Sequence, residues 1–289
     1  MDPAIFLIQV LNGVQYGLLL FLVASGLTLI FGIMGIINLA HGSFYMIGAY
    51  LAYALTSLSG SLLLAVLAAV PLTLILGFLL ERLFFSYLYN RDHLYQVLLT
   101  YGLILIFEEL RSILAGNDVH SVTVPSQLSA SIPLTDTLSY PVYRLFLSAV
   151  CLAIAAGMYL LIQRTRLGMI IRAGAYNPEM VRSLGIDIRL LYSGVFALGV
   201  GLAAFAGMIA APVSSISPGM GDSVLITSFV VVVIGGIGSV KGTMAAALLV
   251  GLADTFGQVL LPQAAGMIVY LLMALVLLWR REGLFGKTV

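Results

Sequence analysis

The chain has 289 residues, 61% of them hydrophobic and 9% charged, with a net charge of +1 and a mean hydropathy of +1.12. A soluble domain carries about 25% charged residues, so this chain cannot clothe itself in a solvated surface; a soluble enzyme, a disordered chain and a nucleic-acid binder are excluded. Apolar stretches of about 20 residues recur along the whole length and predict an all-α, polytopic membrane helical bundle, while the short alternating segments of a β-barrel are missing.

In chain order the predicted hydrophobic segments are 8–34, 44–58, 61–85, 94–114, 142–162, 190–211, 224–237, 243–261 and 266–279, of which eight or nine are expected to span. Several are short or broken by glycine, so re-entrant segments are expected among them. The N-terminal Met1-Asp2-Pro3 lacks a basic region and the first apolar run is too long for a signal peptide, so no cleavable leader is expected. One membrane domain, 1–289, is expected. Cys151 stands alone in an apolar run and reads as core filler.

The two long polar stretches are 116–141 and 164–189. Placing the second in the cytoplasm, with the C-terminus, puts eleven of the thirteen Lys/Arg on the cytoplasmic side, Lys287 among them; only Arg111 and Arg144 then lie outside. The N-terminus comes out external. The 116–141 loop faces outside, either as a solvated connection or as a docking surface.

The first glycine-rich break lies within residues 32–50 and carries Asn38, His41, Gly42 and Tyr45. The second, residues 235–247, carries Gly235, Gly236, Gly238 and Lys241. Their weak mutual likeness suggests two pseudo-related halves. Glycines free backbone groups that lipid cannot satisfy, and paired broken segments point to a substrate path. The competing reading is a pair of tight turns at the cytoplasmic surface. Among membrane charges, Glu108 and Arg111 sit at i,i+3 and can pair, whereas Asp254 has no evident local partner. No metal-ligand cluster, catalytic constellation or Walker motif is recognisable.

Within the 164–189 stretch, Asn177 suits an N-cap, Pro178 the first helical position, Glu179 the positive end of the helix dipole, and Gly185 the left-handed C′ position. A two-turn helix over 178–184 is predicted, with Met180, Val181 and Leu184 on an apolar face. Alone it is too short to be stable, so it lies against the membrane surface or against a cytoplasmic protein.

Residues 35–50, Gly-Ile-Ile-Asn-Leu-Ala-His-Gly-Ser-Phe-Tyr-Met-Ile-Gly-Ala-Tyr, resemble the signature of the LivH-type permeases of branched-chain amino acid ABC importers. Residues 172–186 are similar to that family's cytoplasmic loop, and Gly235-Gly236-Ile237-Gly238-Ser239 with Gly242 to its late glycine motif. The resemblance implies a permease that pairs with a LivM-like second permease in the inner membrane. Two cytoplasmic ATPase subunits and a periplasmic binding protein would complete the importer. ATP would bind those partners, this chain holding no cofactor and performing no chemistry. Asn177, Pro178, Glu179, Met180, Arg182, Leu184 and Gly185 become the coupling helix, and the two glycine elements become walls of the path. The family pattern expects a smaller and a less basic residue where Val181 and Arg182 stand. Urea, short amides and aromatic acids are further substrates of related permeases. A stand-alone channel or a proton-coupled carrier using Asp254 is the alternative.

Overall fold

The computed structural model describes residues 3–89, 91–133 and 138–286; Met1, Asp2 and Lys287 lie outside the described residues. Eleven α-helices are described: α1 (Pro3–Met34), α2 (His41–Ser59), α3 (Leu62–Leu83), α4 (His93–Ala115), α5 (Val142–Arg164), α6 (Arg166–Tyr176), α7 (Pro178–Ser183), α8 (Ile188–Ala210), α9 (Met220–Gly235), α10 (Val240–Leu260) and α11 (Ala265–Trp279). Each of the nine predicted segments overlaps one of them, with ends that differ by up to five residues. Six spans, counting short 3-10 turns that extend two of them, are long and apolar enough to cross a membrane: Pro3–Met34, Leu62–Tyr87, Val142–Arg164, Ile188–Ala210, Val240–Leu260 and Pro262–Trp279. The architecture is all-α and polytopic.

The bundle has a buried centre and an apolar exterior. Helices α1 and α8 are mostly buried, while in α11 only Val269 is buried. Leu63, Leu67 and Ile75 on α3 and Leu275 and Leu278 on α11 are more than half exposed, as befits surfaces solvated by lipid chains. Because lipid provides no hydrophobic force between helices, the centre is held by close packing of small residues. Gly13 and Gly17 on α1 meet Ala247 and Gly251 on α10 so closely that a methyl group at either glycine would collide with the opposite helix. Thr28 and Thr243 share a hydrogen bond of 2.8 Å across the same pair. Helices α2 and α8 cross with Gly48 against Ala204 and Gly207 against Tyr45.

Two breaks shape the bundle differently. After Met34 the chain turns at Gly35 (φ +65°) and folds back along α1. His41, the first residue of α2, lies against Gly26 and bonds the Val23 carbonyl at 2.9 Å. Val23 is eleven residues before the end of α1, roughly 16 Å along its axis. Helix α2 therefore begins inside the bundle rather than at its surface. The 235–242 break is a tight turn instead. Gly236 (φ +93°) abuts Gly286, and the backbone N–H groups of Leu284 and Phe285 donate to the carbonyls of Ile234 and Gly235.

The 116–141 loop is folded where it is described. A two-stranded antiparallel hairpin, β1 (Ser131–Pro133) and β2 (Ser139–Pro141), pairs Ile132 with Tyr140. His120 exchanges two 2.9 Å backbone hydrogen bonds with Ile216 and stacks on Tyr53 at 4.3 Å.

The 164–189 stretch carries two helices where one was predicted. Thr165 caps α6 by accepting from Gly168 N–H at 3.0 Å, and Arg172 reaches back to the Ile162 carbonyl. The apolar residues of α6, among them Leu167, Met169 and Ile171, are spaced for a helix but lie among Arg164, Arg166 and Arg172, which makes the stretch read as polar loop. Helix α7 matches its punctuation: Asn177 Oδ1 accepts from Met180 N–H at 3.0 Å, and Gly185 has φ +82°.

Candidate functional site

A polar cavity of about 420 Å³ opens at the end of the bundle that carries the start of α1 and the β-hairpin. Its volume falls within the range of small-molecule sites, roughly 300–1,000 Å³. Helix α1 supplies Gln9, Asn12, Gln15 and Tyr16, residues three to four positions apart that make a polar stripe on an apolar helix. Arg144 enters from the first turn of α5, Ser214 from the segment after α8, and Asp254 and Thr255 from α10. Leu19, Ala210, Val213 and Val259 add an apolar lining.

Neutral partners hold the two charged walls. Asn12 Oδ1 accepts from Arg144 Nη1 at 2.7 Å and from the Tyr140 hydroxyl at 3.2 Å. Burial raises the Tyr140 hydroxyl pKa above its ordinary value, with Arg144 acting in the opposite direction, so it donates at neutral pH. On α10 Gln258 Nε2 donates to Asp254 Oδ2 at 2.7 Å. The expectation that Asp254 lacks a local partner is thus corrected: the partner is one helical turn away, at i+4. Among the described residues the one ion pair within 4.0 Å is Glu108–Arg111, at 2.9 Å. Arg111 also donates to the Gly116 carbonyl at 2.7 Å, tying off the end of α4.

Of the sequence-predicted path residues, Tyr45 lines the cavity. Asn38 and His41 are fully buried at the joint between α1 and α2. Asn38 Oδ1 accepts from Ala40 N–H at 3.1 Å. The Asn38 Nδ2 and the His41 Nδ1 have no hydrogen-bond partner among the described residues. Gly42 presses against Gly221 in the first turn of α9. Gly235, Gly236 and Gly238 do not line the cavity; they form the turn covered by residues 284–286.

At the other end of α5 and α8 stand α6 and α7. Helix α5 runs 23 residues from Val142 to Arg164, roughly 34 Å, and separates Arg144 in the cavity from the Thr165 cap. Helix α8 returns from Ile188, just beyond α7, to Ala210 at the cavity. Of the predicted apolar face of α7, Val181 is buried at 4% exposure, whereas Met180 (64%) and Leu184 (73%) point outward together with Tyr176 (93%). Glu179 and Arg182 are exposed on the same short helix.

Sequence reasoning missed two features. Glu81 is fully buried, accepts from Ser193 Oγ on α8 through Oε2, and has no partner for Oε1. In the sequence Glu81 stands beside Arg82 near the end of an apolar run, a place that suits a solvated helix end. The signal was Ala69, Thr73 and Gly77, buried at four-residue intervals on the face that continues to Glu81. The second is the Gln9–Asn12–Tyr16 stripe, spaced at one helical face but diluted among apolar neighbours.

The family model describing the permease component of the branched-chain amino acid transport system matches residues 9–278. A high-affinity branched-chain amino acid transport system permease protein of Pseudomonas aeruginosa, BraD, is 31% identical over 98% of this chain and 96% of its own length. The corresponding LivH protein of Escherichia coli is 29% identical over the same shares. A probable branched-chain amino acid transport permease of Methanocaldococcus jannaschii is 27% identical over 89% of this chain and 83% of its own. No solved structure matches the chain. A polytopic bundle with a polar cavity at one end, matched along nearly its whole length, belongs to the family of branched-chain amino acid transport system permease components.

Proposed function

We propose that the chain is one permease subunit of an ATP-driven importer, and that it passes branched-chain or related small amino acids across the inner membrane by alternating access. The observation that carries this reading, in a chain of this family, is the placement of a polar cavity and an exposed, capped helix pair at opposite ends of α5 and α8. Residues 1–289 form a single membrane domain in this reading. Helices α2, α4 and α9 join the six long spans as membrane-embedded elements, giving eight or nine crossings in two related halves. The N-terminus and the cavity face outside; the α6–α7 tip and the C-terminus face the cytoplasm.

The tip suits a partner-bound element. Tyr176, Met180 and Leu184 expose large apolar surface while Asn177, Pro178 and Gly185 fix the shape of the helix that carries them. We assign Asn177, Pro178, Glu179, Met180, Arg182, Leu184 and Gly185 to the contact with an ATPase subunit. ATP belongs to two such subunits, and this chain binds no cofactor. A LivM-like permease and an external binding protein complete the assembly. Along the path, Tyr45 lies on the cavity wall and Asn38, His41 and Gly42 at the buried joint beneath it, while Gly235, Gly236 and Gly238 hold the inner turn. An unpaired buried polar atom costs about 1–3 kcal/mol. Two at one joint, Asn38 Nδ2 and His41 Nδ1, suit a joint that changes partners between transport states.

The test is reconstitution in liposomes with and without the ATPase, second-permease and binding-protein partners. Uptake of L-leucine should require all of them and ATP. Uptake by this chain alone would instead favour a channel or a proton-coupled carrier working through Asp254.

A further inference from the structure

Two opposite charges line the cavity, and they do not meet. Arg144 and Asp254 stand on different helices, both half-buried, and neither has an ion-pair partner within 4.0 Å among the described residues. Each is held by a neutral amide: Asn12 takes one guanidinium nitrogen and Gln258 donates to one carboxylate oxygen. The second terminal nitrogen of Arg144 and the second oxygen of Asp254 have no such bond to these amides. Charges drawn out of water are costly unless they are paired and hydrogen-bonded. A cavity that holds two of opposite sign apart is matched by a solute carrying both signs.

We propose that this cavity is a binding site within the permease for the zwitterionic head of an α-amino acid, with Arg144 taking the carboxylate and Asp254 the ammonium group. The site deepens the transport reading above and rests on it. The planar guanidinium fork suits a carboxylate, and a carboxylate accepts from the three donors of an ammonium group. The solute is neutral overall, so its entry satisfies both walls without changing the cavity's net charge. Leu19, Ala210, Val213 and Val259 form an apolar lining for an aliphatic side chain. Neither a simple amine nor a simple carboxylate satisfies both walls: each leaves one protein charge unmatched. The permease therefore discriminates by headgroup, independently of the binding protein that delivers the solute.

The experiment uses the complete importer in lipid nanodiscs without its binding protein. Three probes share one carbon skeleton: L-leucine, leucine methyl ester as the cation and 4-methylpentanoate as the anion. Binding is read by ligand-observed NMR. Wild type should prefer L-leucine over either single-charge probe by roughly ten- to hundredfold, the worth of one charged hydrogen bond. Asp254→Asn should lose the preference over 4-methylpentanoate, and Arg144→Gln the preference over the methyl ester. Asp254→Glu and Arg144→Lys, which keep the charges, should retain both. Assembly with the partners and basal ATP hydrolysis show that each variant is folded. An unchanged preference order in folded variants overturns the site, as does wild type that binds all three probes alike. L-Leucine uptake by the wild-type importer in liposomes tests the parent reading separately. Uptake with an unchanged order removes the site alone, and an intact importer that moves no amino acid removes both.

Discussion

Single residues carry two kinds of work in this molecule. Asn177 works locally, since its side chain replaces one of the backbone partners that a helix start lacks. Asn177→Ala should weaken α7 by about 1 kcal/mol. Hydrogen exchange at the Met180 amide should then quicken roughly fivefold, and Asn177→Asp should restore it. Glu81 works across the bundle, joining α3 to α8 through Ser193. Ser193→Ala should lower stability by about 1–3 kcal/mol in detergent unfolding, and by much less in a Glu81→Leu background; equal losses in both backgrounds would show the pair to be uncoupled. The two residues differ in legibility for a physical reason. A cap is set by neighbours in sequence, so Asn177-Pro178-Glu179 and Gly185 announce α7 directly. A buried carboxylate is set by what lies across the interface, and nothing near Glu81 in the sequence names Ser193.

At the scale of elements, close approach between helices does the holding. Gly207→Val should push α8 off α2, because the new side chain meets the Tyr45 backbone. The same change at Gly157, which faces open space on α5, should be nearly neutral by comparison. A thermal-unfolding series in detergent separates them, and equal shifts would remove the packing argument. The helices themselves were legible, since each apolar run of the predicted length became one. Where they begin was less so. The runs containing Asn38-Leu39-Ala40-His41 and Gly235-Gly236-Ile237-Gly238 look alike as glycine-broken segments, yet one folds back inside the bundle and the other turns at its edge. The difference lies in their partners: Val23 and Gly26 receive His41, while residues 284–286 cover Gly235 and Gly236. Helix α6 was lost in a count of arginines. The polar cavity, drawn from α1, α2, α5, α8 and α10, has no single stretch of sequence that could announce it.

For the whole molecule, the positive-inside distribution predicts which end meets which solution. Cys151 is fully buried, so a cysteine introduced on the surface reports alone. In intact cells Asp118→Cys should react with a membrane-impermeant maleimide, and Tyr176→Cys should react only after permeabilisation. The reverse pattern would invert the molecule and place the charged cavity in the cytoplasm. Net charge adds little to this argument, because the +1 total hides a strong asymmetry between the two sides. The exposed apolar tip and the polar cavity mark the same asymmetry in shape, joined by helices that run the length of the bundle.

The fold-back between α1 and α2 bears on how the protein is made. Residues 35–40 bury Asn38 and hand His41 to α1, and the face of α2 that carries Tyr45 and Gly48 closes against Ala204 and Gly207 on α8. About 160 residues separate His41 from that surface. At roughly 5–20 residues per second the ribosome needs on the order of ten to thirty seconds to supply it. During that interval the nascent α1–α2 hairpin holds the Asn38 amide without the α8 surface that α2 packs against. Release into free lipid would strand those groups, so the insertion machinery must shelter the hairpin until α8 arrives. Chains truncated before Ile188 should therefore be cleared by membrane proteases far faster than chains ending after Ala210, as a pulse-chase comparison would show.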